Sequence, residues 1–252
     1  MARLILIPAA GEGSRFRKAG INTPKPLIRV KGLSLLEHTL ASFALEAGDQ
    51  LVLAVRREHH VRDQLQASIS TSHPGVAIHW IELDALLPGQ LATSRVAIEQ
   101  LLLRRPELDC WPLLIHNCDT GFRWNPSLGT IDGFAAMAVF EAEGDHWSFG
   151  QPAPDDPYRA LAIAEKKRIS NLASIGLYGF CSTQAFLKAA DLQLNTGCTV
   201  KGEHYIAPML QAAITAGHVV SLPRVDGIRL YGTPEELIST FSISLETLRQ
   251  QG

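Results

Sequence analysis

Cysteine is scarce in this sequence, with four in 252 residues: Cys110, Cys118, Cys181 and Cys198. None forms a CxxC pair and no Cys/His group has zinc-ligand spacing, which excludes a disulfide scaffold and a zinc ribbon. The four are expected to be small core residues. No apolar run approaches the ~20 residues that a membrane span needs, and no secretory leader opens the chain, so a reducing cytoplasm is the expected setting. A basic excess is also missing. Lys and Arg number 23 against 25 Asp and Glu, a formal charge of −2, which excludes a general nucleic-acid binder. No segment is low in complexity or rich in Gln, Ser or Pro, so no disordered tract is expected.

What the chain does have is apolar material, 46% of its residues, enough for a sizeable core. Leu4-Ile5-Leu6-Ile7 is wholly apolar and ends at Pro8, the pattern of a central strand buried on both faces. Similar runs at 51–55, 76–81 and 111–115 alternate with helical patterns over 33–46, 58–68 and 89–104. Strands are read again at 135–140, 160–165, 175–180 and 219–222, with helices near 204–216 and 234–249. Alternation of this kind predicts an α/β fold with a mixed, mainly parallel central sheet flanked by helices. No internal repeat or linker interrupts it. One domain over 1–252 is expected, with a nucleotide-binding half of about 1–125 and an acceptor-binding half of about 126–252.

Positive charge is locally dense at Arg15, Arg17, Lys18, Lys25, Arg29 and Lys31, which suits a compact anionic ligand. It surrounds the loop Pro8-Ala9-Ala10-Gly11-Glu12-Gly13-Ser14-Arg15-Phe16. Two glycines just past a strand let the backbone approach an anion and aim amides at it, and a following helix adds its positive end. The dinucleotide fingerprint is excluded by Phe16 where a third glycine belongs, and a P-loop by the lack of GxxxxGK[ST]. A companion segment, Thr23-Pro24-Lys25-Pro26-Leu27, holds one lysine between two prolines that stiffen its backbone.

Gly11-Glu12-Gly13-Ser14-Arg15-Phe16 followed by Pro24-Lys25-Pro26-Leu27 resembles the signature of the sugar-phosphate nucleotidyltransferases, the family of the NDP-sugar pyrophosphorylases. The resemblance implies a Rossmann-like nucleotide-diphospho-sugar transferase fold. It further implies that Ala10, Gly11, Gly13, Ser14 and Arg15 hold the triphosphate, with Arg15 and Lys25 catalytic in neutralising the leaving pyrophosphate. Gly89-Gln90-Leu91-Ala92-Thr93 resembles the segment that contacts base and ribose, which points to Gln90. His116-Asn117-Cys118-Asp119 follows an apolar strand where the family places its metal aspartate, making Asp119 a Mg2+ ligand. Glu165-Lys166 resembles the pair that grips the acceptor. Gly176, within 169–180, and Glu203, within Gly202-Glu203-His204-Tyr205, continue the similarity as acceptor contacts, as does Gly232-Thr233-Pro234-Glu235-Glu236-Leu237.

One departure stands out. Many relatives carry a second metal aspartate two residues before the glycine of the last Gly-Thr motif, where this chain has Leu230. Asp226 and Glu203 are the nearest replacements, and Asp226 is taken to complete the metal site. The implied reaction joins a nucleoside triphosphate to a small phosphorylated acceptor, a sugar 1-phosphate, for capsule, envelope or other polysaccharide precursors. No nucleic-acid or membrane partner is expected, and a homo-oligomer is left open. Three other readings stay open: an acceptor that is a phosphorylated amino alcohol such as phosphocholine, a GT-A-like glycosyltransferase, and a non-catalytic nucleotide-binding sensor.

Overall fold

The computed structural model describes residues 2–250. Its elements run β1 (Leu4–Ala9), α1 (Ser14–Lys18), β2 (Arg29–Val30), β3 (Leu33–Ser34), α2 (Leu35–Leu40), β4 (Gln50–Arg56), α3 (Val61–Ser72), β5 (Ala77–Leu83) and α4 (Gln90–Leu102). They continue as β6 (Leu113–His116), β7 (Thr120–Gly121), β8 (Ala135–Glu141), β9 (Ser148–Ala153), β10 (Asp156–Glu165), β11 (Leu172–Phe180) and α5 (Thr183–Asn195). The chain closes with α6 (Ile206–Thr215), β12 (Val220–Ser221), β13 (Arg229–Leu230), α7 (Pro234–Phe241) and α8 (Leu245–Arg249).

Nine strands form one mixed sheet in the order β5-β4-β1-β6-β11-β8-β12-β10-β9, and β9 also touches β11. Only β10 and β11 run against the other seven. The central strands are almost continuously apolar because helices cover both faces. Alternate residues of β1 divide accordingly: Leu4 and Leu6 join the core under α4 and α6, Ile5 and Ile7 the core under α2 and α3. From β1 the chain moves outward to β4 and β5, then returns to β6 on the other side of β1. A reversal of that kind opens a crevice beyond the carboxyl ends of the two strands, and ligands of open α/β sheets bind there.

A third core sits beneath the loop that follows β1. Phe16, Ile21, Ile28 and Leu35 from the first part of the chain pack there with Tyr231, Leu237, Phe241 and Leu248 from the last. The Tyr231 hydroxyl shares a 2.9 Å hydrogen bond with Thr39 inside it. The C-terminal segment therefore supports the N-terminal loop, and β13 pairs with β7 just after Asp119.

Several elements differ from their sequence reading. Helix α2 is shorter than 33–46, because Ser34 caps it with Glu37 in a reciprocal box and Ala44 takes a positive φ beyond its end. β1 runs on through Pro8, since its pairing with β4 extends to Ala9. β9 was read as no strand: Gly150 and Pro152 look like breakers, but an edge hairpin with β10 tolerates them. Helix α5 buries only Thr183, Phe186 and Ala190, too thin an apolar stripe to stand out. The pattern over 234–249 is two helices, separated at Ser242 in the left-handed region. Cys110, Cys181 and Cys198 are exposed rather than core residues, because they lie in connections and not on the sheet.

The edge of the sheet near the chain start is fastened by Asp49, which is almost wholly buried. It accepts the Arg3 amide at 2.9 Å and the Arg3 guanidinium, and the Glu46 amide at 3.0 Å. Burial alone would raise the Asp49 carboxyl, but the bonds from Arg3 and the backbone override it and hold it below the ordinary range. A depressed folded-state pKa means this stabilisation is complete above the unfolded value and fades as pH falls through the folded one. Asp49→Ala should lose about 3–5 kcal/mol by stranding a poorly hydrated guanidinium. In urea melts, the gap between Asp49→Ala and wild type should narrow below about pH 4. A gap that is absent at pH 7 would contradict the assignment.

Candidate active site

The loop after β1 begins with buried Ala10 and reaches Gly13, which adopts φ 63 and starts α1. No side chain caps that helix start and no acid occupies its first turn. An anion there would meet neither competitor. A Cβ on Gly13 would touch the Lys25 Cβ at 3.5 Å, so loop and Pro-Lys-Pro turn pack directly together. Exposed Arg15 makes no ion pair among the described residues, whereas neighbouring Arg17 is paired with Glu12 at 2.9 Å.

Lys25 opens a 3-10 turn whose Pro26 and Leu27 are buried, so its backbone is held from below. Its ammonium lies over the Phe16 ring, 5.7 Å from the centroid, and reaches Asp119 Oδ2 at 2.7 Å. Asp119 leaves the end of β6 in a tight turn. Buried His116 bonds the Thr120 carbonyl at 2.8 Å, and the Tyr231 amide donates to the Asp119 carbonyl at 3.1 Å. Burial would raise the Asp119 carboxyl, but the Lys25 ammonium beside it prevails, helped by Arg15, and keeps it below the usual carboxylate range. Asp119 is thus an ionised acceptor of cations. Its neighbour Cys118 behaves oppositely: burial pushes the thiol up to about 11.

On one side of this pair, Gly89 leads into α4 at φ 100, and Gln90 donates to Asn117 Oδ1 at 2.6 Å. On the other lies the end of β10. There Glu165 is nearly inaccessible, accepts the Ser148 hydroxyl, and has its carboxyl raised by burial. The Lys166 ammonium donates to the Tyr205 hydroxyl, which donates in turn to Glu203. Gly176 sits between the two sides at φ 77. Its amide carbonyl accepts from Asn117, and a Cβ would meet the Asn117 side chain at 2.3 Å, so only glycine fits.

All but one of the candidate site residues line one crevice of about 620 Å³, from Ala10, Gly11, Gly13, Ser14 and Arg15 through Lys25, Gln90 and Asp119 to Glu165, Lys166, Gly176 and Glu203, although of the clustered cations only Arg15 and Lys25 reach it. The exception is Asp226. Gly227 turns its segment at φ 65 toward Arg123, whose guanidinium is 3.3 Å from Asp226 on an exposed surface. Asp226 therefore stands outside the crevice, and its place in a metal site is withdrawn. Leu230 does line the crevice. A second carboxylate close to Asp119 there is Glu236: a Cβ on Gly232 would lie 3.2 Å from an oxygen of each. Glu236 is already engaged, accepting the Gly232 and Thr233 amides at 2.9 and 3.0 Å as the cap of α7. Among the described residues, no three His, Cys, Asp or Glu side chains are arranged as a metal cage.

Sequence reasoning gave no role to Asn117, Ser148, Tyr178 or Tyr205, which also line the crevice. Asn117 and Tyr205 stand inside motifs quoted for other residues. Ser148 lies on the unrecognised β9, with no local signal to mark it.

The fold and the site together define an α/β protein whose crevice joins a glycine loop to paired charged residues. No family model matches the chain. It is 25% identical over 242 residues to UTP–glucose-1-phosphate uridylyltransferase AglF of Haloferax volcanii, covering 92% of each chain. A solved nucleoside-diphosphate-sugar pyrophosphorylase from Vibrio cholerae superposes with a TM-score of 0.81 at 27% identity, covering 95% of this chain and all of the other. A shorter match, 32% over 97 residues, joins 38% of this chain to 15% of a CMP-5'-(3-aminopropyl)phosphonate synthase from Streptomyces rubellomurinus. Over nearly its whole length the chain is thus similar to a sugar-phosphate nucleotidyltransferase and to a solved NDP-sugar pyrophosphorylase. No helix among the described residues is long and apolar enough to cross a membrane.

The contrast between Cys118 and the exposed cysteines can be checked directly. Brief iodoacetamide treatment of the native protein at pH 8 should alkylate Cys110, Cys181 and Cys198 and leave Cys118 unmodified, read by peptide mass spectrometry. Equal labelling of Cys118 would contradict a thiol kept protonated beside Asp119.

Proposed function

We propose that this chain transfers a nucleoside monophosphate from a nucleoside triphosphate to a sugar 1-phosphate and releases pyrophosphate. One observation carries the reading: a single crevice contains the glycine loop with Arg15, the Lys25–Asp119 pair, and the Glu165–Lys166 pair on its far side. The acceptor phosphate is anionic at neutral pH and needs no general base. Its oxygen attacks the α-phosphorus in line, the new P–O bond forms, and the bond to the β-phosphate oxygen breaks. Pyrophosphate leaves with that electron pair. Catalysis then consists of holding two anions together and neutralising the developing charge. Arg15 and Lys25 face the leaving group, Gln90 the nucleoside, Glu165 and Glu203 the sugar hydroxyls, and Lys166 the acceptor phosphate.

Magnesium suits this donor set. It prefers oxygen ligands and is commonly held by one or two carboxylates, with substrate phosphates and water supplying the rest. Asp119 is ionised and already attracts a cation, the Lys25 ammonium, to Oδ2. Bound there with the triphosphate, the ion would screen the phosphate charge. The products would be activated sugars for capsule, envelope or other polysaccharides, made in the cytoplasm.

A second acceptor class is favoured by one feature. The acceptor end carries Trp147, Tyr178 and Tyr205 beside Glu165 and Glu203, a setting that also suits a cation, and the Streptomyces relative is named for an aminopropylphosphonate product. A matrix of four ribonucleoside triphosphates and dTTP against sugar 1-phosphates, phosphocholine and 3-aminopropylphosphonate, scored by pyrophosphate release, separates the two. Release only with the amino compounds would replace the sugar reading, and release with neither would overturn both.

With the active pair in hand, Lys25→Ala should lower kcat by the equivalent of about 2–4 kcal/mol while leaving nucleotide affinity nearly unchanged. An unaltered kcat would remove Lys25 from the chemistry. Asp119→Asn should abolish magnesium-dependent turnover with a normal melting curve, whereas Asp226→Ala should leave the magnesium titration where it was. A shifted titration in Asp226→Ala would restore that residue to the metal site.

A further inference from the structure

The residue following Glu165, Lys166, is held both at its backbone and at its charge. Lys166 takes a left-handed φ of 51, and its amide donates to the Trp147 carbonyl at 2.9 Å. Its backbone is thereby fixed, but four methylenes separate that backbone from the charge. The carboxylate nearest in sequence does not hold the ammonium: Glu165 Oε1 is 3.9 Å away, too far for a hydrogen bond, and Glu165 receives the Ser148 hydroxyl. The group that does hold it is Tyr205. The Lys166 ammonium donates to the Tyr205 hydroxyl and lies 4.0 Å from the centroid of its ring.

We propose that Tyr205 is the positioning residue for Lys166, setting where the acceptor's phosphate is bound. The step rests on the acceptor-end reading given above. A tyrosine hydroxyl accepts one hydrogen bond while donating another. Here it accepts from the ammonium and donates to Glu203, and a chain running from cation to hydroxyl to carboxylate strengthens each link. Burial, together with the Glu203 carboxylate, raises the phenol and keeps it protonated in this role.

Tyr205 is itself anchored to the nucleotide side. The preceding residue, His204, donates its amide to the Pro88 carbonyl at 2.9 Å and accepts the Leu91 amide at 3.0 Å. Gly89 lies so close between them that a Cβ would come within 2.6 Å of the His204 carbonyl oxygen and 2.7 Å of its nitrogen. Gln90 begins α4 on the same segment. The tyrosine therefore fixes Lys166 relative to the residues that face the nucleoside, which is what an in-line transfer between two bound phosphates needs.

The test is Tyr205→Phe, which keeps the ring and removes only the hydroxyl. Two readouts are taken on the full chain. Limited acetylation with acetic anhydride, followed by peptide mass spectrometry, compares Lys166 with exposed Lys201. Lys166 should be slow in wild type and several-fold faster in the variant. Steady-state kinetics should show the acceptor KM rising about tenfold to a hundredfold, the equivalent of losing one hydrogen bond to a charged group, with the triphosphate KM unchanged. Glu203→Ala, at an exposed position, serves if the phenylalanine variant does not fold; it is read by acetylation alone and should speed the labelling of Lys166. Unchanged Lys166 acetylation in both variants overturns the proposal whatever the activity. An equal rise in both KM values overturns it too, since that marks general damage. Faster acetylation in a protein whose wild type transfers to no acceptor leaves Tyr205 as the lysine's anchor and overturns the reaction instead.

Discussion

The ion pair between Lys25 and Asp119 joins the two strand ends on which the crevice is built. One partner comes from the turn that packs against the loop after β1, the other from the turn after β6. Those strands lie side by side because the chain reverses its order across the sheet between them. Sheet topology makes the crevice, but a gap between two flexible loops would not hold phosphates in register. The pair, the third core beneath it and the Tyr231 bond to Thr39 make that gap a fixed surface.

The same pair explains why the site can be strongly charged and still ordered. Asp119 would tend to protonate when buried, and Lys25 keeps it ionised. In the proposed reaction a metal–nucleotide complex would bring its own cation and its own anion, giving each partner of the pair a replacement. Arg15 stands by without an ion pair among the described residues, available to a phosphate. At the opposite end the polarity is mixed, with one lysine framed by two carboxylates and a tyrosine. The crevice thus has a cationic end and a hydrogen-bonding end, matching the leaving group and the acceptor of the proposed reaction.

Much of this arrangement was legible in the sequence, for identifiable reasons. Buried parallel strands need apolar residues at every position, so 4–7, 51–55 and 135–140 announced themselves. The glycine loop and the Pro-Lys-Pro turn are local motifs, and local motifs survive without knowledge of the fold. What failed were features decided at long range. Asp226 looked suitable beside a glycine, but Gly227 turns it toward Arg123, a partner distant in sequence. Ser148 has its role only because β9 pairs with β10, and Tyr205 only because His204 inserts its backbone against Gly89. The cysteines were expected inside on residue type alone, yet three lie in exposed connections.

The central claim is that one crevice seats a metal-bound triphosphate at its Lys25–Asp119 end. A crystal structure with magnesium and a non-hydrolysable nucleoside triphosphate tests it most directly. The phosphates should lie on the amides of residues 11–15 and the ion on the Asp119 carboxylate, with the Lys25 ammonium moved from Asp119 to a phosphate oxygen. A nucleotide bound elsewhere, or an ion held without Asp119, would contradict it.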